Sequence, residues 1–471
     1  MRSADVIVRN GSIVNAWGTV RADIAIRDEK IVAIGDADDL PSAEQEIDVR
    51  GRAVLPGLVD PHVHMGGESP FERNCETEPR SAAAGGITML LQYRLSATAS
   101  FLQTFPHFRD YAARTFIVDT AFHFILSSMQ QVEEIPAYAR EFGIPSFKFY
   151  MGGYEPGNPI GLVSVNDAIL FRAMELVRDL GSYAYVMVHA EDDSLVSLLT
   201  ERAHTSGRSD MQAFSESRPA FCEEQDVLRA IWLAELTGCP LYVPHTTIGL
   251  AVDAAAEARQ RGHSVLLETC PHYLGCTWDD EHLARRGIGV GKVKPPLRDR
   301  PNQDRLWWGL ANGAIHTVGS DHVPIIKRGT DLWDERPGFA GLATLLPVLL
   351  SEGLSRGRVT LEKIAEVTSL NPARIFGFYP RKGALQVGAD ADLVIVDPDL
   401  EQEVTQETTL SLYSSAFDGR TLRGWPVLTM LRGSVVFAGG RIPDSVKPGS
   451  GQVLERNPQN ARELEQQPVL A

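Results

Sequence analysis

Two histidines one residue apart, His62 and His64 in GLVDPHVHM, follow a short apolar run. Successive side chains of a β-strand point to opposite faces, so both imidazoles share one face while Val63 packs behind it. Such a pair either chelates a metal ion or is satisfied by its neighbours inside a strand. Four more residues of compatible chemistry belong to apolar runs of similar length: Lys148 in SFKFYMG, His189 in YAYVMVHAED, His245 in PLYVPHTT and Asp321 in IHTVGSDHVP. Singly, each has a structural explanation: a hydrogen-bonded internal histidine, a lysine whose stem runs past Phe147 and Phe149, an aspartate that caps a helix. Jointly, six of them distributed over five runs point to a metal site.

The mixture of types has a chemical reason. Histidine nitrogen and carboxylate oxygen suit Zn2+, with Mn2+, Co2+ and Fe2+ also compatible. A protonated lysine binds no cation. An amine buried beside two cations has its pKa pushed down. The neutral amine adds CO2 to give a carbamate, whose two oxygens can bridge metals about 3.5–4 Å apart.

Groups so far apart in sequence need a scaffold that gathers the ends of the runs. In order, the strand candidates are GLVDPHVHM, ITMLLQY, DTAFHFIL, SFKFYMG, YAYVMVHAED, PLYVPHTT, SVLLETCPHYL and IHTVGSDHVP. Segments of helical period fill the intervals, such as Glu223 to Leu236 and Leu250 to Arg261, closed by Gly238 and Gly262. Strand alternating with helix over roughly 290 residues is the α/β pattern of a (β/α)8 TIM barrel, which gathers catalytic groups at the C-terminal ends of its strands. The first 50 or so residues, and later GADADLVIVDP, WPVLTMLRG and SVVFAGGRI, alternate apolar and polar positions instead. These ends predict a small β-sandwich built from 1–54 and 386–443, around a barrel of 55–385. The tail 444–471, rich in Gly, Pro, Gln, Glu and Asn, is expected to be an extended arm or disordered.

Lys plus Arg total 45 against 61 for Asp plus Glu, a net charge of −16 over 471 residues. That balance disfavours nucleic acid and anionic membrane as partners and suits a small molecule. Asp5 and Arg9 interrupt the start where a secretion signal needs an apolar core, and no run approaches the ~18 apolar residues of a membrane span, so a cytoplasmic location is expected. Cys75, Cys222, Cys239, Cys270 and Cys276 are odd in number and lack C-x-x-C spacing, which indicates reduced structural thiols.

With these motifs the chain resembles the cyclic amidohydrolases, the group of dihydropyrimidinases, hydantoinases, allantoinases and dihydroorotases. The similarity runs from RNGSIVNAWG through LPGLVDPHVHM, AAAGGIT, SFKFYMGG, VHAEDD, ETCPHYL, KVKPPLR and GSDHVP to KGALQVGADADLVIVDP. The resemblance implies two divalent ions, with Zn2+ the first choice. His62, His64, carbamylated Lys148 and Asp321 would hold one; Lys148, His189 and His245 would hold the other. It implies hydrolysis of a ring amide by water activated between two Lewis acids. Asp321 would take the water's proton and pass it to the leaving nitrogen. A homo-oligomer, tetramer or dimer, is implied as well.

The ring is less defined. Dihydroorotases typically place an arginine second after the H-x-H pair, where this chain continues Met65, Gly66. Dihydropyrimidinases and hydantoinases usually carry an oxyanion-binding tyrosine five residues after the lysine. Here Gly153 holds that place and Tyr154 follows, so Tyr154 is the expected donor, with Tyr150 a second choice. ETCPHYL with His272, SDHVP with His322, and PGFAGLATLLPVLL with Phe339 lean toward allantoinase. Lys294 in KVKPPLR either attracts an anionic substituent or points to solvent. Tyr154, Lys294 and Phe339 are the expected substrate contacts. The acidic loop GGESPFERNCETEP matches neither subgroup. A dihydroorotase-like activity, hydrolysis of N-acyl amino acids, and a non-catalytic binding role are the alternatives; the six filled ligand positions speak against the last.

Overall fold

The computed structural model describes residues 3–152, 161–329 and 331–456. The chain opens with five short strands joined by turns: β1 (Ala4–Asn15), β2 (Gly18–Arg27), β3 (Lys30–Gly35), β4 (Ala43–Asp48) and β5 (Ala53–Pro56). It continues into β6 (Leu58–His64), β7 (Ile87–Leu95), β8 (Asp119–Ile125), β9 (Ser146–Tyr150), β10 (Tyr185–His189), β11 (Leu241–Val243), β12 (Val265–Thr269) and β13 (Thr317–Val318), with helices between. It ends in β14 (Leu393–Glu403), β15 (Thr421–Leu431) and β16 (Ser434–Ala438).

Strands β6 to β13 pair in sequence order, each parallel to the next. This is the expected barrel. Its last gap closes where β6 meets the segment after β13: Val63 bridges His322, and the His64 N–H donates to the His322 carbonyl at 2.7 Å. The final two strands are shorter than the apolar runs suggest. SVLLETCPHYL leaves the strand at Thr269 and turns into a short helix, Pro271–Gly275, opened by a proline whose fixed φ suits a first helical position. Strand β13 is two residues long, and Asp321 beyond it adopts a left-handed φ of 45°.

Side chains alternate across each barrel strand as a pleat requires. Phe147 and Phe149 pack outward among the helices, so Lys148 between them turns inward. The barrel interior is filled by Met89, Leu91, Tyr93, Met187 and Tyr242 above Phe376 and Phe378. Polar groups take over at the strands' C-terminal ends.

The outer strands form one mixed sheet in the order β16-β15-β14-β5-β1-β2-β3, with β4 on β1, over a core of Val8, Ile13, Ile24, Ile26, Ile31, Val54, Leu393, Ile395 and Met430. Both chain ends contribute, as the alternation predicts. Of the tail, Gln452 to Leu454 lie along the start of β8, with Thr120 N–H to Gln452 O and Leu454 N–H to Thr120 O both at 2.8 Å. No described helix is long and apolar enough to cross a membrane. All five cysteines are buried and unpaired.

A buried charge cluster joins sheet and barrel. The Lys382 ammonium donates to Asp119 Oδ2 at 2.6 Å and Asp392 Oδ2 at 2.5 Å, and lies 2.8 Å from Asp390 Oδ2. Burial alone would lower its pKa, but the three carboxylates outweigh that and raise it. Removing one member of a buried ion cluster strands the others. Lys382→Met is expected to cost about 3–5 kcal/mol of stability in urea unfolding. A loss under about 1 kcal/mol would show that the carboxylates find other partners.

Candidate metal centre

The six residues singled out from sequence converge at the C-terminal mouth of the barrel. His62 and His64 end β6, Lys148 lies in β9, His189 ends β10, and His245 and Asp321 follow β11 and β13. His62 Nε2 and His64 Nε2 are 3.2 Å apart, and Asp321 Oδ1 lies 3.2 Å from the first and 3.4 Å from the second. On the other side, Lys148 Nζ is 2.9 Å and His189 Nδ1 3.2 Å from His245 Nε2. The His62 and His245 rings, 5.3 Å apart, join the two halves.

Two buried carboxylates aim these imidazoles. Glu268 Oε1 lies 2.5 Å from His62 Nδ1, and Glu191 Oε2 lies 2.8 Å from His189 Nε2. A carboxylate only accepts, so each takes the ring N–H and leaves the opposite nitrogen, His62 Nε2 or His189 Nδ1, with a lone pair facing the cluster. Glu268 also accepts from Tyr242 OH at 2.6 Å and from the His245 N–H at 3.2 Å. Its place leaves no room for a side chain opposite: a Cβ on Gly319 would fall 2.7 Å from Glu268 Oε2 and 2.8 Å from the His62 Cβ. Arg218 pairs with Glu191 at 2.9 Å, and Arg298, the end of KVKPPLR, donates to the Arg218 carbonyl, to Glu223 and to Thr247 Oγ1.

The backbone is bent to serve the same centre. His245 and Asp321 have φ of 42° and 45°, a left-handed region that costs residues with a Cβ roughly 1–2 kcal/mol each. Local strain of this kind gathers where geometry matters more than comfort.

Electrostatics agree with a cation site. Burial lowers the pKa of His64, His189 and His245. Burial likewise lowers Lys148 to about 7, against weaker opposing effects of Asp321 and Glu268. Burial pushes Asp321 upward, but His62 and His64 outweigh it and hold the carboxyl below the usual range. The donors are therefore imidazoles, three of which burial disfavours in the charged form, a carboxylate held ionised, and an amine able to lose its proton near neutrality. This set fits divalent metal ions.

Among the expected substrate contacts, Phe339 reaches this region. Its backbone bridges His322, and its ring lies 5.6 Å from that of His272. Lys294 stands half-buried in the loop before the helix Arg300–Ala311. Tyr154 and the neighbouring Gly153 lie outside the described residues. Tyr150 is buried, its ring 5.1 Å from that of His189. His322 belongs to the barrel closure, where its Nδ1 accepts from the Gly341 N–H at 3.2 Å. Glu268, Glu191, Arg218 and Arg298 were not singled out from sequence. Glu191 had a visible signal, an acidic residue two positions beyond a strand-end histidine.

A family model described as the amidohydrolase family matches residues 53–436, and one for the N-terminal domain of the urease α-subunit matches residues 1–52. The L-hydantoinase of Paenarthrobacter aurescens is 36% identical over 465 residues, covering 96% of this chain and 98% of that one. An allantoinase of Solibacter usitatus is 37% identical over 459 residues, with 96% and 97% covered. Among solved structures, the L-hydantoinase (dihydropyrimidinase) from Arthrobacter aurescens superposes with a TM-score of 0.87 at 35% identity, covering 96% of this chain and 100% of the other. Agreement of this length, over a barrel whose strand ends bring those six residues together, makes the chain a member of the amidohydrolase family.

Proposed function

We propose that this protein is a metal-dependent hydrolase that opens the ring amide C–N bond of a cyclic amide. The observation that carries the reading is the meeting of His62, His64 and Asp321 with Lys148, His189 and His245 across one barrel mouth. The similar relatives are named for hydantoin and for allantoin, one of them for dihydropyrimidine as well, and allantoin is itself a hydantoin ring bearing a ureido group. The shared chemistry is the five-membered imidazolidinedione ring, which we take as the substrate class.

Two divalent ions, Zn2+ by ligand type, would be held by His62, His64, Lys148 and Asp321 on one side and Lys148, His189 and His245 on the other. When bound, such ions polarise a carbonyl and make water a nucleophile near neutral pH. Lys148 would be shared by both: its neutral Nζ would form a bond to the carbon of CO2 as one C–O π bond breaks and release one proton to water, which gives a carbamate anion with two oxygens. Burial inside the barrel mouth, over the rings of Tyr93 and Tyr150, favours the form of that amine that reacts.

Asp321 does the proton work. Its carboxylate sits against His62 and His64, where it can hold the proton of an attacking water and release it to the departing ring nitrogen. The left-handed backbone at Asp321 fixes that oxygen at the barrel mouth. Tyr154 is our choice for a hydroxyl on the developing oxyanion, and Phe339 and Lys294 for contacts with the ring and its substituent. A cytoplasmic homo-oligomer, tetramer or dimer, completes the reading.

A side-by-side assay of hydantoin, dihydrouracil, allantoin, a cyclic imide, dihydroorotate and N-acyl amino acids is expected to show turnover of the imidazolidinediones first. Turnover confined to N-acyl amino acids would sink the proposal. Intact-mass analysis should find the protein heavier by one CO2, and Lys148→Ala should lose that mass, most bound metal, and more activity than the ~10–100-fold cost of altering an orienting partner. Full activity in that variant would remove the carbamate. Glu268→Gln, which weakens the orienting bond on His62, should lower metal affinity about 10–100-fold, read as metal retained against a graded chelator at unchanged circular dichroism.

A further inference from the structure

Beside the six convergent residues stands a second set of donors. The side-chain ligand atoms of Cys270, His272 and Asp321 all lie within 4.8 Å of one another, and all three residues are buried. A tetrahedral ion with bonds of about 2.0–2.3 Å spaces its ligand atoms about 3.3–3.8 Å apart, so a side-chain movement of about 1 Å closes the set. His272 Nε2 is buried without a hydrogen-bond partner among the described residues, and a buried polar nitrogen without a partner is uncommon. Asp321 turns Oδ1 to His62 and His64, which leaves its second oxygen for another contact.

The two sets differ in softness. Imidazole, carboxylate and carbamate accept a wide range of divalent ions; a set with a thiolate selects Zn2+, Cd2+ and other thiophilic ions. Cys270 directly follows β12 and His272 sits in the first turn of the helix Pro271–Gly275, so the backbone fixes both beside the barrel mouth.

We propose that Cys270, His272 and Asp321 form a third, inhibitory cation position, filled by thiophilic divalent ions supplied beyond the first two. Binding forms a sulfur–metal bond and releases the thiol proton to solvent; nothing is oxidised or reduced. Occupation draws Asp321 toward Cys270 and away from the proton it carries in turnover. The donor set rests on the geometry, its place as third ion rests on the proposed two-ion centre, and the inhibition rests on the proposed hydrolase reading.

The test adds Co2+ stepwise to metal-free full-length protein and follows the thiolate-to-cobalt charge-transfer absorption in the near ultraviolet, together with bound metal and hydantoin turnover. We expect no thiolate band while the first two ions bind, then a band with the third, with turnover falling at least about tenfold. Cys270→Ser should abolish the band and the inhibition while keeping turnover at two ions; Cys270→Ala serves if the serine variant folds poorly. Absence of a thiolate band at any ratio, a band with the first ions, or a band that persists in the variant would overturn the third position. A band with unchanged turnover would overturn the inhibition, and a band in a protein that opens no cyclic amide would leave the position standing while the hydrolase reading falls.

Discussion

The acceptance of the His62 N–H by Glu268 is the contact on which the metal centre is built. A free imidazole can present either nitrogen; with Nδ1–H committed to a carboxylate 2.5 Å away, His62 can offer only Nε2. The same carboxylate holds the His245 backbone and the Tyr242 hydroxyl, so one side chain on β12 fixes His62 on β6 and the turn that carries His245 after β11. Gly319 is the consequence in the neighbouring strand end, since any side chain there would occupy the space between Glu268 and His62. Ligand orientation, strand packing and a glycine requirement thus share one cause.

Burying this much charge is costly unless every group is answered. The protein answers in two distinct ways. Around the centre, carboxylates face imidazoles and arginines, with Glu191 between His189 and Arg218 and Glu223 beside Arg298. At the far end of the barrel, Lys382 sits among Asp119, Asp390 and Asp392 with nothing left over for a ligand. Both regions gather three or more acidic or metal-binding groups, yet only the first leaves bare nitrogens and a titratable amine pointing at common space. Donor clustering is therefore weak evidence of a metal site until the partner of each donor is known.

Much of this was legible in the sequence because strand polarity is periodic. Phe147, Lys148 and Phe149 alternate so plainly that only the lysine can face inward, and the H-x-H pair reads the same way. Contacts between distant strands leave no such trace. Glu268 looks like one more residue of SVLLETCPHYL, and Arg298 like one more charge after two prolines; their importance lies in what they meet some 50 to 200 positions away. Strand lengths were misjudged for a related reason. A run such as SVLLETCPHYL stays apolar after the strand has ended because the following turn is also buried.

That a lysine can stand at the proposed bridging position follows from the register of β9. Lys148 pairs with Met187 on β10 and Ile125 on β8, within a barrel filled from below by Tyr93 and Met187. A glutamate there would supply a carboxylate from a shorter stem, and without metal it would either bear the cost of a buried charge or take up a proton that metal must displace, as burial favours at Glu78. A lysine whose pKa falls to about 7 can wait uncharged in the same place. In the proposed scheme its negative charge would arise only when CO2 had added and would be stabilised only when cations faced it, so carbamate and metal would each favour the other by linkage. In that scheme the metal-free site would be spared an unanswered anion at Lys148.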